Sequence, residues 1–275
     1  MPPHGQIKDQ TIPSRAVGRP MRVQVYLPPR YDDFNMRYPL VTLLHPWGEN
    51  ETFWTACLKL HELADHLINT GSIPPFIAAM PQGDKSYFID AANPPDDFSA
   101  VTRLDPEYYA GALEGYGKYG EHILLDVLPY IHKNYRTRNN RAGLSIGGLG
   151  MGGLGAAVMA FREPERFGTV GIHSPVLFDE WRSGPPWIFG LGDKDAFAKR
   201  DPITLARTLD PAAGLKIYID CGTDDDNSEP ASELHWALVE TGVPHTYVSQ
   251  PGQGSPDYWR AHLAEYIGFY AGGWG

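Results

Sequence analysis

The sequence predicts an α/β fold: a mostly parallel central sheet with helices on both faces. Three observations carry this. Short apolar runs of strand length recur along the whole chain. Segments with helical spacing alternate with them, the pattern of a helix-covered parallel sheet. The middle runs, such as Tyr38–His45 (YPLVTLLH), are apolar almost throughout, as strands buried on both faces must be.

The elements follow in order. Arg22–Leu27 alternates Val23, Val25 and Leu27, and Pro28-Pro29 stops it, so it reads as a strand. Tyr38–His45 is the buried strand already named. Trp54, Leu58, Leu63 and Leu67 then mark a helical stretch, and Pro75–Met80 (PFIAAM) another buried strand. Gly120–Tyr135 places Ile123, Leu124, Val127, Leu128 and Ile131 at helical spacing, with Pro129 as an expected kink. Ala142–Leu149 is apolar but rich in glycine, and Leu154–Phe161 is a helix that stops before Pro164. Phe167–His173, Leu215–Asp220 and His245–Gln250 read as strands, and Leu234–Val239 and Trp259–Tyr270 as helices. Strand connections in such a sheet are right-handed.

Length and composition bound the function. The 275 residues, with no linker or change in composition, make one domain over 1–275. Thirty glycines and 25 prolines exceed ordinary usage, yet 42% of residues are hydrophobic, so the excess marks turns and not disorder. A net charge of −10 disfavours nucleic acid and anionic membrane surfaces. No apolar run approaches the ~18 residues of a membrane span, and MPPHGQIKDQ lacks the apolar core of a signal peptide. Cys57 and Cys221 are the only cysteines, which makes a reducing, cytoplasmic setting the expectation. No metal-ligand spacing or P-loop occurs, so no metal or cofactor is expected. The G-x-G-x-x-G matches within 148–155 are a weak dinucleotide signal. A homo-oligomer stays open.

Seven of the thirteen residues from Gly143 to Gly155 are glycine. Gly143-Leu144-Ser145-Ile146-Gly147 fits G-x-S-x-G, the strand-to-helix elbow that lifts a nucleophilic serine above a sheet. The surroundings of Ser145 disagree with that register. Asn139-Asn140-Arg141 is a poor strand, and a helix through Gly147, Gly148, Gly150, Gly152 and Gly153 would lose about 1 kcal/mol per glycine. Moving the elbow five residues on removes the conflict. Ala142–Leu149 becomes the strand, the helix begins near Gly152, and the nucleophile position is Gly150.

Motifs along nearly the whole chain resemble the esterase D, feruloyl esterase and enterochelin esterase branch of the α/β-hydrolases, which also includes the mycolyltransferase antigens. Val25-Tyr26-Leu27-Pro28-Pro29 with Tyr31 is similar to "VYLPPGY", and Leu43–Gly48 with Trp54 to "LLHGxG…W". Met80-Pro81, Asn134-Tyr135-Arg136-Thr137, Glu163–Gly168, Tyr218–Asp225 and Val243-Pro244-His245 match further family segments in order. Pro251–Trp259 resembles the "PGGHxxxxW" ending. The resemblance implies an α/β-hydrolase fold and carboxylic ester hydrolysis by a serine, an aspartate and a histidine. The aspartate carries over to Asp225. The serine falls on Gly150 and the histidine on Gly254, so two of the three triad positions hold glycine. The oxyanion donors are the N–H groups of Met151 and, by resemblance, Trp47; Pro46 stands where the family has glycine.

The expectation is therefore an esterase relative with a degenerate triad that binds a small ester or acyl-like ligand. An active ester hydrolase using Ser145, Asp225 and a displaced histidine such as His173 is the alternative. His45 matches the family's oxyanion-loop histidine and is a candidate pocket residue. His173, at a strand end, and Trp259 are candidate pocket residues, as are Trp54, Tyr87 and Phe88. His262 and His245 are poor substitute bases, and Cys221 reads as a buried, inert thiol.

Overall fold

A computed structural model describes residues 2–92, 116–178, 186–189 and 193–274. Eight strands form one sheet: β1 (Gln6–Pro13), β2 (Pro20–Leu27), β3 (Leu40–Leu44), β4 (Ile77–Pro81), β5 (Leu144–Leu149), β6 (Thr169–His173), β7 (Lys216–Gly222) and β8 (Thr246–Gln250). Their order is β1-β2-β4-β3-β5-β6-β7-β8. β2 runs antiparallel to β1 and β4, and β3 to β8 are parallel.

The expected strands are present with shifted ends, and β1 is an addition. Its sequence, QIKDQTIP, is mostly polar because it is an edge strand with little buried surface, so it carries no apolar run. Between the strands lie α1 (Phe53–Ala56), α2 (Leu60–Asn69), α3 (Leu128–Asn134), α4 (Met151–Arg162), α5 (Lys194–Ala198), α6 (Pro202–Ala206) and α7 (Ser228–Glu240), and α8 (Pro256–Gly272) follows the last strand. Pro129 does not interrupt its helix. It sits in the first turn of α3, and a π-helical segment, His122–Val127, precedes it. A wider turn there takes up the missing N–H.

Strand alternation divides the core in two. Leu40, Leu44, Ile146, Val170 and Ile172 face the side covered by α4, whereas Val41, Leu43 and Leu149 face the side covered by α1, α2 and α8. Glycine in β5 lets helices press on both faces. A Cβ on Gly147 would meet the Tyr270 hydroxyl from α8, and one on Gly152 of α4 would lie 2.5 Å from the Leu44 carbonyl.

The α8 face carries a buried polar network. His173 Nδ1–H donates to Asp220 Oδ1 (2.6 Å), and the Tyr270 hydroxyl donates to His173 Nε2 (2.9 Å). The Tyr266 hydroxyl donates to Asp220 Oδ2 (2.7 Å), and its ring stacks on His173 at 3.7 Å. Burial pushes both tyrosine hydroxyls far above their ordinary pKa, so they stay protonated donors. Among the described residues no helix is long and apolar enough to cross a membrane.

Removing Asp220 strands two buried donors, His173 Nδ1–H and the Tyr266 hydroxyl. Asp220→Ala is expected to cost about 3–5 kcal/mol, read as a lowered midpoint in urea unfolding.

Candidate active site

The carboxyl edge of the parallel strands is where this fold class places ligands. β5 ends at Leu149, α4 starts at Met151, and Gly150 alone makes the turn. Its dihedrals, φ 56° and ψ −114°, are strained for any residue with a Cβ. Hydrogen bonds pin it. Its N–H donates to the His173 carbonyl (2.9 Å), and its own carbonyl accepts from Leu154 (3.2 Å) and Val176 (3.1 Å). A Cβ here would make only ordinary contacts, 3.5 Å to Pro46 and 3.8 Å to Val176. The elbow therefore has room for a side chain and holds none. Met151 opens α4, so its N–H is among those without a partner inside the helix, at the positive end of the helix dipole.

Asp225 lies in the turn after β7. Its Oδ1 accepts from Asn227 N (2.9 Å) and Asn227 Nδ2 (3.0 Å). Its Oδ2 takes the space a Cβ on Gly254 would need, and that Cβ would also lie 3.1 Å from Ser174 Cβ. Asp225 and Gly254 thus meet across the edge, with carboxylate where a side chain would stand. Cys221 is buried at the end of β7, and burial reinforced by Asp225 raises its thiol pKa well above the ordinary value. It is neither thiolate nor nucleophile.

His45 closes β3. Its Nδ1–H donates to the Pro46 carbonyl (2.9 Å), and its Nε2 accepts from the Gly83 N–H (2.9 Å). Burial lowers its pKa to about 4, so the ring is neutral at physiological pH and ties the β3 loop to the β4 loop. The Trp47 ring is 43% exposed and packs 5.1 Å from Tyr87. Tyr87 in turn meets Phe178 at 5.6 Å. Tyr87 and Phe88 are successive non-glycine residues with positive φ, 57° and 55°. Backbone strain of this kind costs about 1–3 kcal/mol per residue and clusters at functional sites. Trp47, Tyr87 and Phe178 form an aromatic wall on loops that adjoin Gly150 through Pro46 and Val176.

Other candidates lie elsewhere. Ser145 is buried at the opposite end of β5, about 17 Å of strand from Gly150, and its Oγ accepts from the Trp274 indole (2.9 Å). It does not meet Asp225. His173 is not a pocket residue: it shares a strand face with Gly171 and is enclosed under α8 by the network above. Trp54 is fully buried against that same core. Trp259 is buried edge-on to Phe53, and its indole N–H donates to Ser174 Oγ (3.1 Å). His262 lies along α8 beside Glu265, and His245 precedes β8, at the far end from Gly254. Ser174 escaped sequence reasoning. It has φ 41°, is buried, and borders the Gly254 position. The signal available was its place directly after a strand that neighbours the elbow. Among the described residues no three His, Cys, Asp or Glu side chains converge to hold a metal.

A sheet of this order, a strained turn between β5 and a helix, and an acidic turn after β7 define an α/β-hydrolase. The model of the "Putative esterase" family matches residues 14–270, and the chain belongs to that family. It is 32% identical over 207 residues to an endo-1,4-beta-xylanase/feruloyl esterase of Xylanibacter ruminicola. That match covers 70% of this chain but only 25% of the relative's length. A ferulic acid esterase structure superposes with a TM-score of 0.81 at 22% identity, covering 99% of this chain and 100% of that one. An S-formylglutathione hydrolase from Agrobacterium tumefaciens gives 0.78 at 17% identity, with 98% and 96% coverage. At these identities the two structures speak for the fold.

The neutral, buried His45 makes stability depend on pH. Its folded pKa lies below the unfolded value of 6.5, so the unfolded chain binds the extra proton. Stability is full above pH 6.5 and falls as pH drops toward 4, by about 3 kcal/mol from this residue. His122 and His132, lowered mainly by burial, act in the same direction. In His45→Gln the loss between pH 6.5 and 4 is expected to be smaller by up to one proton's worth of slope, measured by urea unfolding across that range.

Proposed function

We propose that this chain binds a small ester or acyl-like ligand at the Gly150 edge and does not turn it over as a serine hydrolase. The single observation behind this reading is that glycine occupies the elbow, Gly150, and also the place facing Asp225, Gly254. An elbow glycine offers no hydroxyl to attack a carbonyl. Asp225 has no imidazole to orient, and Gly254 brings no base to take a proton.

The binding half of the site does not need those side chains. The Met151 N–H at the start of α4 and the Trp47 N–H are suited to hold a ligand oxygen, and the α4 dipole favours negative charge there. The wall of Trp47, Tyr87 and Phe178 offers apolar surface to the rest of the ligand. In serine proteases stripped of their triad, such features alone retain about 10³–10⁴-fold over water, far below a working esterase. The relatives' names make an aromatic acyl group a natural first ligand to try. Cys57 and Cys221 are both unpaired, in keeping with a reducing cytoplasmic setting, and the net charge of −10 with avoidance of nucleic acid.

Purified protein is expected to hydrolyse short p-nitrophenyl esters no faster than residual levels, and Ser145→Ala is expected to leave that rate unchanged. Ordinary enzymatic rates abolished by Ser145→Ala, or fluorophosphonate labelling of Ser145, would sink the proposal. Restoring both positions, Gly150→Ser with Gly254→His, is expected to raise hydrolysis where Gly150→Ser alone does not. The histidine requires Asp225 to withdraw from the space it now fills.

A further inference from the structure

At the opposite end of the sheet from Gly150, two histidines from separate elements converge. His235 lies on α7, and His245 immediately precedes β8. His235 Nδ1 and His245 Nε2 are 2.7 Å apart. The other nitrogen of His245, Nδ1, donates its proton to the Val243 carbonyl at 2.8 Å. That bond fixes the tautomer and leaves the Nε2 lone pair pointing at His235. A metal-ligating imidazole is held in just this manner, its second nitrogen tied to a backbone carbonyl. The His235 ring is held as well: it stacks on Tyr247 at 4.5 Å with an interplanar angle of 11°. Both histidines are half-buried, so solvent reaches the pair.

We propose that His235 and His245 form a two-nitrogen site for a divalent transition-metal ion, copper(II) in preference to zinc(II). The preference follows the affinity order of nitrogen-donor sites, in which copper(II) stands above zinc(II). With metal–nitrogen bonds of about 2.0–2.1 Å, two ligands at a right angle stand about 2.9 Å apart, and two at a tetrahedral angle about 3.3 Å. The rings now face each other along this hydrogen bond, with centroids 4.9 Å apart, so either arrangement requires both rings to turn until their lone pairs converge on the ion. Copper(II) and nickel(II) favour the square arrangement, and zinc(II) the tetrahedral one. In the metal-free pair, His235 Nδ1–H donates to His245 Nε2. On binding, the His235 proton moves to its Nε2 by exchange with solvent, so the neutral pair takes up the ion with no net proton change. Among the described residues no third His, Cys, Asp or Glu joins the two, so water fills the other positions.

The test is titration of the full chain with copper(II) and zinc(II) by calorimetry, together with copper electron paramagnetic resonance. Trp236, whose ring lies 5.1 Å from His235, reports binding by fluorescence quenching. The wild type is expected to show one copper site whose resonance carries two imidazole nitrogens, and at least tenfold weaker zinc binding. His245→Ala and His235→Ala are each expected to weaken copper at least tenfold and leave one nitrogen in the signal. Should His235→Ala lose its fold through the lost Tyr247 stack, His245→Gln carries the test. Copper binding of unchanged stoichiometry and affinity in a folded His245 variant overturns the proposal, and so does a resonance signal that this variant leaves unaltered. Equal or tighter zinc binding overturns the preference for copper(II).

Discussion

The close approach of two helices to β5 governs everything at the carboxyl edge. Gly147 faces α8 and leaves the Tyr270 hydroxyl room to reach His173. On the other face, Gly152 lets the first turn of α4 lie against the backbone of β3. Because α4 lies so close, the chain can pass from strand to helix in one residue. That residue, Gly150, must take a φ of 56°, and the α4 N-terminus is aimed at the ligand edge as a result. A methyl group at Gly147 or Gly152 would push a helix outward and move the N–H groups at the start of α4.

Around the elbow, the scaffold is held by buried polar groups kept in one charge state. His45 is neutral because burial makes its protonation costly, and in that form it accepts from Gly83 and donates to Pro46. Beneath the sheet, Asp220 accepts from His173 and Tyr266 and joins β6, β7 and α8. These networks rigidify the edge. Binding and bond cleavage are therefore separable in this fold. In the proposed reading, backbone N–H groups, a helix dipole and an aromatic wall serve a ligand without a nucleophile, whereas acyl transfer needs a hydroxyl and a proton acceptor in register.

Much of the architecture was legible because burial on two faces leaves a continuous apolar run. β3, β4, β6 and β7 were readable for that reason, and α4 and α8 from their helical spacing. β1 was not, because an edge strand buries little and needs no apolar pattern. The short helices α5 and α6 were also missed: five residues hold too few turns to show a period, and their capping aspartates, Asp193 and Asp201, resemble ordinary loop acids. At the site, glycine density located the turn because each glycine in the competing register would have weakened a helix.

Sequence alone determined the core strands and main helices along the chain, the esterase family and the place of the elbow, since these rest on local spacing, helix propensity and motif order. Tertiary structure alone decided which side chains meet. Asp225 and Gly254 come from different loops and touch only because β7 and β8 are neighbours. His173 faces α8, away from the ligand edge, because strand alternation assigns it to the face of Gly171. Ser145 and Gly150 differ by five positions, yet the strand between them carries them to opposite ends of the sheet. Contacts of this kind depend on register and on the faces of distant segments, and no spacing within one segment encodes them.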